Sequence, residues 1–463
     1  MSSNPSNQSA HKSANQPVCV LVGQSIDAVT TATVLASLDQ VVHLYADEDA
    51  LNQTLATYNF EHQLQALWQL YMTKKTIIVL PIPSDAKSVF DASRFNNSRI
   101  DEKEKEGISP SLYWLFYPEL PTSWTGHNQS SLTDEFWINQ LNASSNPQVP
   151  LILSGIKPLG VFARIAEQCQ RPWVYYVPFV FLQDGRSYTS MLIPMLWLMG
   201  EKTPNSVHKI GLLQPLMAGA KQAYVTDIST TEFARSAIMS MLATRVSFMN
   251  EWSRLADSQG VDITQVSTIM GLDERIGKSY LKAGWGFGGQ TLPAEIEALE
   301  QTYADSQHDN HLMQAVKAIN ADQKELIFRK FWQYYDGNIE DKTVTIWGAS
   351  YKAGSGRTSG SAIHPLLSLL WSYNITTQVY AGEAQAELAR LYPSHPLLQF
   401  IAEPEQGLNQ AQGLFIMAWS IHQPIPIHAI NEVAVPVFDA QNLLKSAQIQ
   451  TLVSHYVGIG RSK

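Results

Sequence analysis

The sequence predicts an α/β protein: two doubly wound, Rossmann-like domains joined by a central helical domain with one long helix. Three observations predict it. Short apolar runs alternate with helical stretches near the N-terminus, a long helical pattern starts at Ser229, and a second strand–helix–strand series begins at Thr343. Strands alternating with helices imply βαβ units and a parallel sheet. At about 150 residues per domain, 463 residues suit about three domains. The expected division is a disordered tail over 1–16, an N-terminal α/β domain over 17–215, a central helical domain over 216–338 and a C-terminal α/β domain over 339–463.

In chain order, Val18–Val22 is a short apolar run ending at Gly23, and a small-residue helical pattern covers Ala28–Leu38. Val41–Tyr45, Thr76–Leu80 and Leu151–Leu153 read as further strands. The region from about Ser84 to Pro150 is polar, holds the charge run Asp101–Glu106 and several Pro and Gly, and reads as a solvated insertion. Ser229-Thr-Thr-Glu232 has capping-box spacing, in which each side chain satisfies a free backbone N–H. Ile238, Leu242, Phe248, Trp252 and Leu255 then recur at near-helical spacing until Gly260. Core packing and a dimer seam explain that apolar face equally well. His311–Tyr335 predicts another long amphipathic helix, and Thr343–Trp347, Thr377–Tyr380, Gly413–Ala418 and Val435–Phe438 predict the strands of the last domain.

Composition narrows the function classes. With 45% hydrophobic and 10% aromatic residues, each domain can bury a core. The formal charge of −9 and the lack of any Lys/Arg block argue against a nucleic-acid surface. The Ser/Asn/Gln-rich start reads as neither signal peptide nor anchor. Apolar runs such as Met191–Met199, which contains Pro194, fall short of the roughly 18 residues a membrane span needs. Cys19, inside an apolar strand, and Cys169 are the two cysteines, so a structural disulfide is not expected and a reducing, cytoplasmic setting is. The reading invokes no metal.

The most informative stretch is Gly271-Leu-Asp-Glu-Arg-Ile-Gly277 followed by Tyr280-Leu-Lys-Ala-Gly-Trp-Gly-Phe-Gly-Gly289. Glycines at 286, 288 and 289 make a backbone that can pass close to a ligand and offer N–H groups to it, although a flexible turn before the next helix has the same composition. The stretch resembles the loop of the UDP-glucose/GDP-mannose dehydrogenase family that carries the sugar-nucleotide contacts and the catalytic cysteine. Glu232–Glu251, Phe181-Leu-Gln-Asp-Gly185 after Pro178, Trp347-Gly-Ala-Ser-Tyr-Lys352 and Trp419 resemble further motifs of that family, in the family's order.

The resemblance implies an NAD-dependent oxidation of a nucleotide-sugar CH2OH to a carboxylate, for polysaccharide synthesis, with an NAD-binding-like N-terminal domain and a UDP-binding-like C-terminal domain. The family's cysteine position is held here by Thr291, whose hydroxyl is a far weaker nucleophile than a thiolate and otherwise suits a helix N-cap before Pro293. The family lysine is Arg235, which keeps its proton at any working pH and cannot act as a base. The oxyanion-holding asparagine is Met239, a thioether that donates no hydrogen bond. The motif aspartate is Glu295, and its preceding lysine is Ala294. A glutamate of the family is replaced by Phe179 or Val180, and a threonine is absent from Ser154-Gly-Ile-Lys-Pro-Leu-Gly160.

The nucleotide positions are mixed. Gly23-Gln-Ser25-Ile-Asp27-Ala28 stands where a dinucleotide fold has G-x-G-x-x-G, so Ser25 puts a Cβ toward the pyrophosphate and Asp27 adds negative charge. Ala46 holds the expected ribose acid's place, with Asp47 adjacent, so Gly23, Ser25, Ala28 and Asp47 are weak NAD candidates. The sugar-nucleotide shell is better kept: Arg275, Tyr280, Leu281, Lys282, Gly286, Phe287, Gly288, Gly289 and Lys352 are the candidates. Where the family has an arginine after this lysine, the chain has Ser359, with Arg357 two residues away; another family arginine is replaced by Gln441. Three readings follow: a catalytically impaired homologue that binds a nucleotide sugar, an active oxidoreductase with altered chemistry, and a scaffold or partner of an active paralogue. All fit a homodimer or larger homo-oligomer.

Overall fold

Both faces of the first sheet are covered, and the reason lies in the alternation of its strands. The computed structural model describes residues 18–82, 89, 110–117, 139, 142–143, 146–180, 182–183, 185–419 and 423–462. In β1 (Val18–Val22), Cys19 and Leu21 join one buried cluster while Val18, Val20 and Val22 join another. Every residue of the strand is therefore apolar, as a parallel strand between two helical layers requires.

The chain divides into two compact units, Met1–Ala56 with Glu61–Phe233, and Thr57–Phe60 with Ala234–Lys463. Among the described residues, the first unit is built on an eight-stranded sheet of order β3-β2-β1-β4-β5-β6-β7-β8. Its other strands are β2 (Val41–Ala46), β3 (Ile77–Pro81), β4 (Pro110–Tyr117), β5 (Leu151–Gly155), β6 (Val174–Tyr176), β7 (Leu196–Glu201) and β8 (Gln222–Asp227). All neighbours pair in parallel except β6 with β7. The second unit holds a parallel sheet of order β11-β10-β9-β12-β13-β14, from β9 (Thr343–Trp347), β10 (Thr376–Tyr380), β11 (Leu398–Phe400), β12 (Leu414–Ile416), β13 (Val437–Asp439) and β14 (Tyr456–Gly458). The fold class is thus α/β with two Rossmann-like parallel sheets.

Several helices place the site. α1 (Ile26–Ser37) follows β1, α2 (Glu48–Thr57) and α3 (His62–Thr73) follow β2, and α4 (Val161–Gln168) follows β5. α5 (Ser187–Leu192) and α6 (Gln214–Gly219) come before and after β7, and α7 (Ile228–Gln259) is the long helix, 32 residues. α8 (Ile263–Met270), α9 (Thr291–Asp305), α10 (His311–Gln323) and α11 (Leu326–Tyr334) come after it. Gly260, at φ 64°, closes α7 in the left-handed conformation that glycine adopts freely. Among the described residues no helix is long and apolar enough to cross a membrane.

The structure corrects four expectations. The 84–150 region is not simply an insertion, because Pro-Ser-Leu-Tyr-Trp-Leu-Phe-Tyr forms β4, buried in mid-sheet between β1 and β5. An unbroken apolar run, not an alternating one, marks such a strand. The Asp101–Glu106 run and residues 1–16 lie outside the described residues. Second, α7 begins one residue before Ser229, and Asp227 caps it, accepting from Thr230 N at 2.8 Å and from its hydroxyl at 2.7 Å. Glu232 instead reaches α4, taking Phe162 N at 2.9 Å and Ala163 N at 3.2 Å. Third, Thr291 is the first residue of α9 and not its N-cap, which is Gln290. Fourth, His311–Tyr335 is two helices, broken at Lys324 and Glu325.

The predicted apolar face of α7 also divides. Met239, Ala243, Ser247, Met249, Asn250 and Ser253 are buried, whereas Phe248, Trp252 and Leu255 are exposed, with Met241. Ile238 and Leu242 lie between.

Candidate functional site

Two helices of the second unit bring the charged candidates together. Arg235 and Ser236 lie on the buried side of α7, and Glu295 lies one turn into α9. The Arg235 guanidinium forms an ion pair with Glu295 Oε2, and the Ser236 hydroxyl donates to Glu295 Oε1. Arg235 is 4% exposed and Glu295 1%, so the charges neutralise each other out of water. Met239, one turn after Arg235, is 6% exposed and packs. Thr291 is exposed, and no hydrogen bond joins its hydroxyl to a base among the described residues. The unit therefore presents a buried cation–carboxylate pair and an unassisted hydroxyl.

The glycine loop is held by amides that the sequence reading did not single out. Asn320 Oδ1 accepts from Phe287 N at 2.7 Å while its Nδ2 donates to Phe287 O at 3.1 Å. Asn250 Oδ1 accepts from Gly284 N at 2.9 Å, and Gln323 Nε2 donates to Gly284 O at 2.8 Å. Gly289 N donates to Ser359 O at 2.8 Å. A Cβ at Gly288 would sit 2.4 Å from Gly360 O, and one at Gly286 2.4 Å from Asn320 Oδ1. The glycines thus serve close packing within the chain, and the N–H groups of Gly284, Phe287 and Gly289 already have acceptors. Asn320 and Gln323, three apart on α10, share one helix face; polar amides within an amphipathic run were the available signal. Arg245 adds two bonds, to Ile276 O at 2.7 Å and Gly277 O at 3.0 Å.

The remaining shell residues are spread. Leu281 and Phe287 are buried, and Lys282 and Lys352 are exposed. Tyr280 is 46% exposed and takes φ 59°, a left-handed conformation that disfavours a side chain. Arg275 points into solvent and pairs with Asp273 at 2.6 and 3.0 Å, which holds the Asp273 carboxyl below its ordinary range. Ser359 lends its carbonyl to the loop, and Gln441 N donates to Asp439 Oδ1 at 3.3 Å.

The first unit carries the dinucleotide candidates. Ser25 caps α1, its hydroxyl accepting from Asp27 N at 3.2 Å and Ala28 N at 3.3 Å. These are the N–H groups a pyrophosphate would take at a helix N-terminus, and the Asp27 carboxylate follows at once. Asp47 caps the next helix through Ala50 N at 2.9 Å. The turn fits a dinucleotide poorly on both counts. Phe179 stacks on Trp114 and Phe116, whereas Phe181 and Asp184 of the neighbouring motif lie outside the described residues. Burial pushes the Cys19 thiol up to about 12 and Cys169 to about 11, so neither supplies a thiolate.

Comparison with known proteins agrees with the architecture. Residues 229–322 match the UDP-glucose/GDP-mannose dehydrogenase family, central domain. A UDP-glucose 6-dehydrogenase of Pseudomonas aeruginosa is 28% identical over 61% of this chain and 64% of its own length. A UDP-glucose 6-dehydrogenase of Rickettsia felis is 29% identical over 60% of this chain and 63% of its own. The matches span just under two thirds of these relatives. Among solved structures, a UDP-glucose dehydrogenase from Pyrobaculum islandicum superposes with TM-score 0.75 at 17% identity, covering 98% of this chain and 100% of that one. A UDP-D-ManNAc dehydrogenase from Pyrococcus horikoshii gives 0.71 at 14%, covering 96% and 99%. These structures share the fold, and the central segment of the chain, residues 229–322, is similar to the central domain of the UDP-glucose/GDP-mannose dehydrogenase family.

Proposed function

We propose that the chain is a nucleotide-sugar dehydrogenase homologue that has lost the oxidation and retains nucleotide-sugar binding. The observation that carries this reading is the buried Arg235–Glu295 pair with Ser236, at the places the resemblance assigns to a lysine and an aspartate. A guanidinium committed to a carboxylate neither takes up a proton nor moves one. With a hydroxyl at 291 and a thioether at 239, nucleophile, base and oxyanion donor are missing together, and each commonly contributes roughly 10² to 10⁴ in rate. NAD binding is weak or absent on this reading, because Ser25 occupies the first N–H groups of α1.

The shell from Tyr280 to Gly289, with Lys352 and Arg275, is what would meet a UDP-sugar. A second copy of the chain covers the α7 face bearing Phe248, Trp252 and Leu255, large apolar side chains left in water in the monomer. Thermal-shift and calorimetric titrations with UDP-glucose, UDP, GDP and NAD test the proposal. The expected result is a response to the uridine nucleotides and none to NAD. Tight NAD binding contradicts the lost oxidation, and silence toward every nucleotide contradicts the retained shell.

A further inference from the structure

The glycine loop of the second unit is held by side-chain amides, and one of them is tied to charges at the surface. Gln323 on α10 is fully buried, and its Nε2 donates to Gly284 O at 2.8 Å. Its Oε1 accepts from Arg254 on α7, from Nε at 3.2 Å and from Nη2 at 3.0 Å. Asp322 holds that arginine in turn: its Oδ2 lies 2.7 Å from Arg254 Nη2, and its Oδ1 lies 2.9 Å from Arg329 Nη2. The side chains of Arg254, Asp322 and Arg329 are 36%, 42% and 43% exposed, so a chain of contacts runs from solvent to the loop backbone. The two asparagines of the loop have no charged partner among the described residues. Asn250 takes Gly284 N at 2.9 Å, and its Nδ2 is buried without an acceptor. Asn320 has both ends on Phe287.

We propose that Arg254 is a positioning residue: by keeping the Gln323 amide turned inward, it holds the Gly284–Gly289 backbone in its ligand-ready form. Naming that ligand as a nucleotide sugar rests on the function proposed above; the effect on the loop does not. The donor set gives the amide one working orientation. A guanidinium has only donors and must face Oε1, and Gly284 O can only accept and must face Nε2. Remove the guanidinium and Oε1, inside a fully buried residue, has no donor. The amide then gains by turning toward water, and the bond to Gly284 O goes with it. The loop has little slack to absorb such a shift. Trp285 is 1% exposed with Nε1 donating to Met417 O at 3.2 Å, and a Cβ at Gly286 would stand 2.4 Å from Asn320 Oδ1. A backbone fixed at Gly284, Trp285 and Phe287 meets a ligand without first being ordered by it, which is where a supporting side chain gains affinity.

Hydrogen–deuterium exchange of the full chain tests this, read on peptides covering 281–290 and, as a control, 343–347, with calorimetric titration of UDP-glucose in parallel. Arg254→Met is expected to speed exchange in 281–290 roughly tenfold, the effect of losing one buried hydrogen bond, and to leave 343–347 unchanged. UDP-glucose binding is expected to weaken roughly fivefold in the same variant. Arg254→Lys, whose ammonium still donates to Oε1, restores most of both. Gln323→Glu keeps an acceptor for Arg254, removes the donor to Gly284 O, and is expected to loosen the same peptides. Exchange in 281–290 that stays unchanged in Arg254→Met or Gln323→Glu, or that rises equally in 343–347, overturns the proposal. Loosening that Arg254→Lys fails to reverse does so too, as does loosening with no loss of affinity in a protein that binds UDP-glucose. A wild type that binds no nucleotide overturns the function proposed above instead, and the exchange result alone then decides the role of Arg254.

Discussion

At the scale of single residues, the charges of Arg235 and Glu295 decide stability as well as chemistry. Glu295→Gln leaves a buried guanidinium without its counter-ion and is expected to destabilise the second unit by about 3–5 kcal/mol. Urea denaturation of Glu295→Gln beside Glu295→Asp checks this, and equal stability of Glu295→Gln and wild type would contradict a charged pair. Ser25→Gly removes the side chain that takes the Asp27 and Ala28 N–H groups, at a cost of only a few tenths of a kcal/mol, about that of glycine at an N-cap. Its NAD affinity, read by calorimetry, is expected to rise above that of the wild type. At this scale the sequence marked Thr291, Met239, Arg235 and Glu295 as the informative positions through the resemblance. It did not reveal that Arg235 and Glu295 are partners, 60 residues apart, because pairing across two helices is a tertiary fact. Asn250, Asn320 and Gln323 were equally hidden, since an amide on a helix face looks the same whether it meets water or a loop.

Among the elements, α7 and β2 carry separate predictions. If a second copy covers Phe248 and Trp252, then Trp252→Glu buries a carboxylate in that seam and yields monomer in sedimentation or light scattering, with the melting temperature otherwise near that of the wild-type monomer. His43 in β2 is 2% exposed, and burial lowers its imidazole from 6.5 to about 4. The folded state therefore binds fewer protons than the unfolded state between these values, so stability is full above pH 6.5 and falls as pH drops toward 4. The loss amounts to about 3 kcal/mol at most, and His43→Gln is expected to flatten it in denaturant melts run across that window. Strands with neat apolar runs, such as Val18–Val22 and Thr343–Trp347, were legible from the sequence. β4 was not, because its run is embedded in a polar region, and β6, β11 and β14, three residues each, escaped as well. The break between α10 and α11 escaped because Lys324 and Glu325 are ordinary helix formers, with neither proline nor glycine to signal a stop.

For the molecule as a whole, the fold of the UDP-glucose dehydrogenases is kept from β1 to β14, and on the function proposed above the groups that the resemblance assigns to chemistry are exchanged. The glycine loop illustrates how that comes about, since Gly286 and Gly288 are required by packing against Asn320 and Gly360 whether or not a substrate binds. Fold residues under such steric demand persist, and those whose only work is proton or electron transfer can change without disturbing the core. The most direct measurement is NADH formation by the purified full-length protein supplied with UDP-glucose and NAD. The account predicts none above the rate without enzyme; sustained NADH production, proportional to protein concentration, would contradict it.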